Sequence, residues 1–125
     1  MTGGAPVPDT PRALIADDSN LTRWAIAHAL AADGYQVQSA CSCDELLEQL
    51  LRRHVAVLVT ASRLGDRAIG GLLTRVARAW PDTRIVVLCD SEDREAVRRA
   101  CTQATLVDRP FAVADVVRHA RHKNM

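Results

Sequence analysis

Aromatic side chains are nearly missing. The 125-residue chain carries two Trp, one Tyr and one Phe. A core must therefore be aliphatic, built from Leu, Val, Ile and Ala within an apolar fraction of 48%. Long apolar runs are missing too, and none approaches the roughly 18 residues of a membrane-spanning helix. Charge of one sign is not in excess: 16 Lys and Arg stand against 15 Asp and Glu, for a net charge of +1. That balance leaves no strong electrostatic case for nucleic acid or a membrane surface as partner. The amino terminus lacks the charged start and apolar stretch of a secretory signal, so a cytoplasmic, reducing setting is the expectation. Zinc-ligand spacing is absent among Cys41, Cys43, Cys89 and Cys101, and Cys41-Ser42-Cys43 is too tight for the usual paired-cysteine motifs. The four cysteines are expected to be small, mostly buried apolar residues.

Residues 1–11 hold three Pro and two Gly and read as a leader without a core of its own, with one domain following at 12–125. After the leader, short apolar runs alternate with helical patterns. The runs are Ala13–Ala16, Val37 with its neighbours, Val55–Val59, Ile85–Cys89 and Leu106–Val107. Three are almost purely apolar, as strands become when helices cover both faces of a parallel sheet.

Helix signatures fill the gaps. Ser19 or Asn20 caps the first helix, whose stripe runs Leu21, Ala25/Ile26, Ala29/Leu30 and Ala32 up to Gly34. Ser42-Cys43-Asp44-Glu45 is a capping box ahead of Leu46, Leu47, Leu50 and Leu51. The third helix carries Ile69, Leu72, Leu73, Val76 and Ala77, and stops near Trp80-Pro81. The fourth opens at Ser91-Glu92-Asp93, with acid favourable at its positive end, and buries Val97, Ala100 and Cys101. The fifth follows Pro110-Phe111 and buries Val113, Val116, Val117 and Ala120. It ends in Arg118, His119, Arg121, His122 and Lys123, cations that suit a helix carboxyl end. Five strand–helix units imply an α/β three-layer sandwich with a parallel sheet and right-handed crossovers.

In such sheets chemistry gathers beyond the carboxyl ends of the strands. Asp17 and Asp18 follow the first strand. Thr60, Ala61 and Ser62 follow the third, Cys89, Asp90 and Ser91 the fourth, and Asp108-Arg109-Pro110-Phe111 the fifth.

At these positions the chain resembles the receiver domains of two-component response regulators. Leu14–Ser19 looks like the family's first strand and acidic pair, Trp80–Leu88 like the lead into its fourth strand, and Arg109-Pro110-Phe111 like its Lys-Pro-Phe turn. The likeness covers residues 12 to about 122. It implies a flavodoxin-like five-stranded sheet of order 2-1-3-4-5. It also implies two acids holding magnesium, a phosphoacceptor aspartate ending the third strand, and a Thr or Ser ending the fourth. An aromatic residue on the fifth strand and a lysine before a cis-proline, here Pro110, complete the implied set.

The sequence departs from that set at four positions. The phosphoacceptor position falls on Thr60 or, with a shift of one, on Ala61. The Thr/Ser position falls on Cys89, the aromatic on Leu106 and the lysine on Arg109. Only Asp17 and Asp18 match outright. Without a third carboxylate, magnesium is expected to bind weakly or not at all, and no other cofactor is expected. Arg109 can instead reach Asp17 or Asp18 as counter-charge.

The first functional expectation is therefore a degenerate receiver: not an enzyme, but a domain recognised by contact. Its partner would be another signalling protein, a histidine kinase or a second copy of itself. The face implied for that contact is the fourth helix, fifth strand and fifth helix, with Arg94, Arg98, Arg99, Leu106, Arg118 and His119. The alternative is a conventional receiver phosphorylated at a displaced Asp66 or Asp90; phosphorylation of Thr60 or Ser62 by another route is a separate reading. The loop Arg63–Gly71 is about one residue longer than in ordinary receivers, and Gly70-Gly71 permits close packing or a mobile helix entry. A flavin or nucleotide enzyme of similar architecture is disfavoured, because no glycine-rich phosphate loop follows the first strand.

Overall fold

The apolar runs form the strands the pattern requires. The computed structural model describes residues 10–121. Strands β1 (Arg12–Ala16), β2 (Gln36–Ala40), β3 (Val57–Ala61), β6 (Arg84–Cys89) and β7 (Thr105–Asp108) make one parallel sheet of order β2-β1-β3-β6-β7. Counting these five alone gives 2-1-3-4-5, the flavodoxin-like order. Two two-residue strands, β4 (Arg63–Leu64) and β5 (Arg67–Ala68), form an antiparallel hairpin just after β3. The helices are α1 (Asn20–Ala32), α2 (Cys43–Arg52), α3 (Gly70–Ala79), α4 (Arg94–Ala100) and α5 (Val113–Arg121). A single 3-10 turn, Ser91–Asp93, leads into α4.

Side chains alternate between the sheet's faces, and each face owns a core. On one, Ile15, Val59 and Val86 meet Ile26 and Leu30 of α1 and Val116 of α5. On the other, Leu14, Leu58 and Val87 meet Leu46 and Leu50 of α2, Leu73 and Val76 of α3, and Val97 of α4. Each fully buried Leu or Ile stabilises by about 1.5–3 kcal/mol, so aliphatic residues suffice without aromatics. Full burial of β3, from Val57 to Ala61, fixes it as the central strand and brings its carboxyl end between those of β1 and β6.

Local chemistry sets the helix ends. Ser19 Oγ accepts from Thr22 N at 3.1 Å, and Gly34, at φ +100°, lets the chain turn out of α1. Ser42 Oγ accepts from Glu45 N at 3.1 Å, while the Glu45 carboxylate accepts from Cys41 N at 2.7 Å, one residue ahead of the usual reciprocal donor. Helices α3 and α4 meet at Gly70, where an added Cβ would make only ordinary contact with Ala100 Cβ at 3.4 Å, and Thr74 Oγ1 donates to Ala100 O at 2.8 Å.

Three expectations need correction. Leu21 and Leu51 are not in the core; they are 74% and 75% exposed. Each lies five residues from a residue its helix buries, Ile26 and Leu46 respectively, which is about 140° round the helix. The cysteines divide: Cys89 and Cys101 are buried, Cys43 is half-buried and Cys41 is exposed. The segment after β3 is a paired hairpin turning on Gly65 at φ +62°, not a plain loop. The leader is described only from Thr10, and Pro11 O already accepts from Gln36 N at 2.9 Å. Residues 1–9 and the basic pair His122 and Lys123 lie outside the described residues.

Candidate functional site

Parallel strands align their carboxyl ends, and register decides which side chains meet there. Ala16 pairs with Thr60, and Ala61 with Leu88. Ala16 ends β1 opposite Thr60, and β3 runs one residue further, to Ala61. Thr60 is fully buried, and its hydroxyl donates to Ala61 O at 3.0 Å. Neither residue carries a carboxylate.

Asp17 is 4% exposed and must have partners for its charge. One carboxylate oxygen accepts from Ser19 N at 2.8 Å, and the other from Arg109 Nη2 at 2.8 Å. Of the two aspartates expected to attract Arg109, it is Asp17 that does. Arg109 Nε also lies 3.6 Å from Asp90 Oδ1, and its guanidinium carbon is 5.6 Å from the centre of the Phe111 ring. The Arg109–Pro110 peptide bond is cis. Asp18 is exposed, and both its oxygens accept from Gly65 N, at 2.8 and 3.0 Å, which anchors the hairpin tip to the end of β1. Asp66 is exposed at that tip.

Cys89, ending β6, is fully buried, and its Sγ donates to Asp90 O at 3.3 Å. Burial, then the nearby Asp93 and Asp108 carboxylates, pushes its thiol pKa up, so it stays a weak neutral donor.

A second cluster escaped sequence reasoning. Asp93, read there as an acid suited to a helix start, is only 5% exposed. It accepts from Ser62 Oγ at 2.9 Å, Arg63 Nε at 3.0 Å and Arg63 Nη2 at 2.9 Å. The Arg63 hydrogen bonds, then that of Ser62, hold its carboxyl below the usual range against the opposing effect of burial. The available signal was Ser62-Arg63 at the end of a strand expected to be central, facing an acid at the next helix start.

The expected contact face is partly engaged internally. Arg94 pairs with Asp108, and Arg118 with Asp115 at 2.8 Å one turn earlier. Arg98 and Arg99 are exposed and His119 is half-buried. Leu106 is half-buried and packs against the core, so it offers less apolar surface than a contact residue would. Among the described residues, no three His, Cys, Asp or Glu side chains gather as a metal site. No helix among them is long and apolar enough to cross a membrane.

A family model described as the response regulator receiver domain matches residues 13–119. Curated proteins yield no match. Among solved structures, a Burkholderia pseudomallei response regulator with a phosphorylated aspartic acid, calcium ion and citrate is 21% identical, with a TM-score of 0.77; the match covers 89% of this chain and 66% of that one. The chain therefore spans somewhat less than two thirds of that protein. A Thermotoga maritima response regulator is 24% identical over 90% of this chain and 95% of its own, with a TM-score of 0.75. The beryllofluoride-activated NtrC4 receiver domain, solved as a dimer, is 17% identical over 87% and 94%, with a TM-score of 0.73.

Proposed function

The chain belongs to the response regulator receiver domain family, and on that premise we propose that it is a degenerate member that signals by contact and takes up no phosphoryl group. The observation that carries the reading lies at the strand ends: β3 ends in Thr60-Ala61 with no carboxylate, and a guanidinium stands 2.8 Å from the Asp17 carboxylate. Phosphoryl transfer to a side chain needs a nucleophilic carboxylate placed to within about an ångström. Asp66 stands at an exposed hairpin tip, and Asp90 is drawn toward Arg109. Both placements weigh against a displaced acceptor.

The donor set does not suit magnesium. That ion demands a near-octahedral oxygen shell. Here Asp17 is committed to Ser19 N and Arg109, Asp18 to Gly65 N, and β3 supplies no carboxylate. Arg109 takes the part of counter-charge that a cation would otherwise play. On this reading the domain is a non-enzymatic, cofactor-free module of the cytoplasm, spanning residues 12–125 after its leader. Its partner is another signalling protein, such as a histidine kinase, or a second copy meeting α4, β7 and α5. The balanced charge of the whole chain favours neither nucleic acid nor membrane.

Incubation with acetyl phosphate and magnesium, followed by intact-mass measurement, tests this. The expected spectrum shows no added phosphoryl group. A hydroxylamine-labile phosphoryl group on Asp66 or Asp90 would instead establish the conventional alternative.

A further inference from the structure

A carboxylate at a helix start normally faces water or caps its own helix. Asp93 does neither: it makes no cap hydrogen bond to α4, and it is buried against residues thirty positions earlier. Its partners, Ser62 and Arg63, join the end of β3 to the hairpin. Ser62 is tied on other sides as well: its N donates to Leu88 O at 3.1 Å, its O accepts from Ile69 N at 3.2 Å, and its Oγ accepts from Asp90 N at 3.4 Å. The Arg63 fork grips Asp93 with both Nε and Nη2.

We infer that Ser62, Arg63 and Asp93 form an internal latch, a fixed carboxylate that holds the start of α4 against the end of β3 and so sets the one orientation in which α4 presents Arg94 and Arg98. This deepens, and rests on, the reading of the domain as a contact module. The physical reason is a contrast of strengths. Helix α4 has seven residues and buries only Val97 among them. It belongs to the part of a fold that opens locally well below the cost of global unfolding. The ion pair, with Asp93 buried and Arg63 46% exposed, adds what apolar packing does not supply. Remove Arg63, and Asp93 is left buried with one hydroxyl; the easiest relief is for the 3-10 turn to swing into water.

Amide hydrogen exchange read by mass spectrometry, on protein without magnesium or phosphodonor, tests the latch. In Arg63→Gln, amides of residues 91–100 are expected to exchange about tenfold faster or more, while those of residues 13–16 keep the wild-type rate. Ser62→Ala retains the ion pair and loses the two hydrogen bonds of the hydroxyl, to Asp93 and from Asp90 N, so a smaller rise of about threefold, in the same segment only, is expected. It also serves should Arg63→Gln not fold. Unchanged exchange at residues 91–100, or acceleration shared equally by residues 13–16, would overturn the latch. Because phosphate plays no part here, local opening in a chain that did accept phosphate would sink the contact reading and leave the latch standing.

Discussion

Arg109→Ala is expected to destabilise the domain by about 2–3 kcal/mol, because it leaves the Asp17 carboxylate buried without its counter-charge. The range sits below that of a wholly buried pair because the Arg109 side chain is 30% exposed, so water screens part of the attraction. Asp17 keeps the Ser19 N–H at 2.8 Å, which also limits the loss. Arg109→Lys preserves charge but not the planar fork that reaches both Asp17 and Asp90, and about 1 kcal/mol is expected. Asp17→Asn should cost less in the Arg109→Ala background than in the wild type, with a coupling of about 1–2 kcal/mol in a double-mutant cycle. Urea unfolding supplies all these values. Loss of no more than about 0.5 kcal/mol in Arg109→Ala would mean that the pair behaves like an ordinary surface contact.

Ala61→Asp is expected to have the opposite chemical logic and a comparable cost. Position 61 is 5% exposed and ends β3, the strand next to the one that Asp17 follows. A carboxylate introduced there meets a like charge in a buried setting, and about 2–4 kcal/mol of destabilisation is expected at neutral pH without metal. The sign of the pH dependence follows from burial and repulsion, which raise the introduced group's pKa in the folded state. The penalty is therefore absent well below its unfolded value of about 4 and full only above its raised folded value. Magnesium should now return part of the loss, since three carboxylates converge and the dication offsets their repulsion. Thermal unfolding with and without magnesium measures this. Equal stabilisation of wild type and variant would show that the wild-type pocket already holds the ion, against the proposal.

The fold was legible because its signals were redundant. Ala13–Ala16, Val55–Val59 and Ile85–Cys89 are apolar on both faces, as a covered parallel sheet requires, although β3 begins at Val57 and runs on to Ala61, and Ser42-Cys43-Asp44-Glu45 fixes the start of α2 by hydrogen bonding that the residue types dictate. Asp17 and Arg109 were legible as a pair because both follow strands whose carboxyl ends share one edge of the sheet, where opposite charges have few other ways to satisfy burial. What stayed hidden was set by tertiary register. That Ala16 ends β1 opposite Thr60 is a matter of one residue's shift, which the sequence does not mark. The β4–β5 hairpin is too short to show alternation, and only Gly65 hints at its turn. Asp93 was ambiguous because an acid at a helix start is favourable exposed or buried, and only the position of Arg63 decides. Leu21 and Leu51 read as core on residue type alone, although their spacing of five residues from Ile26 and Leu46 sets them about 140° away round the helix.

An amide NMR titration of the wild-type chain with magnesium and then beryllofluoride tests the silent pocket most directly. The resonances of residues 17, 18 and 61 should stay in place through millimolar magnesium, and beryllofluoride should move none of them. Saturable shifts clustered at those three residues would contradict it, for they would mean that the pocket still gathers a metal and a phosphoryl mimic.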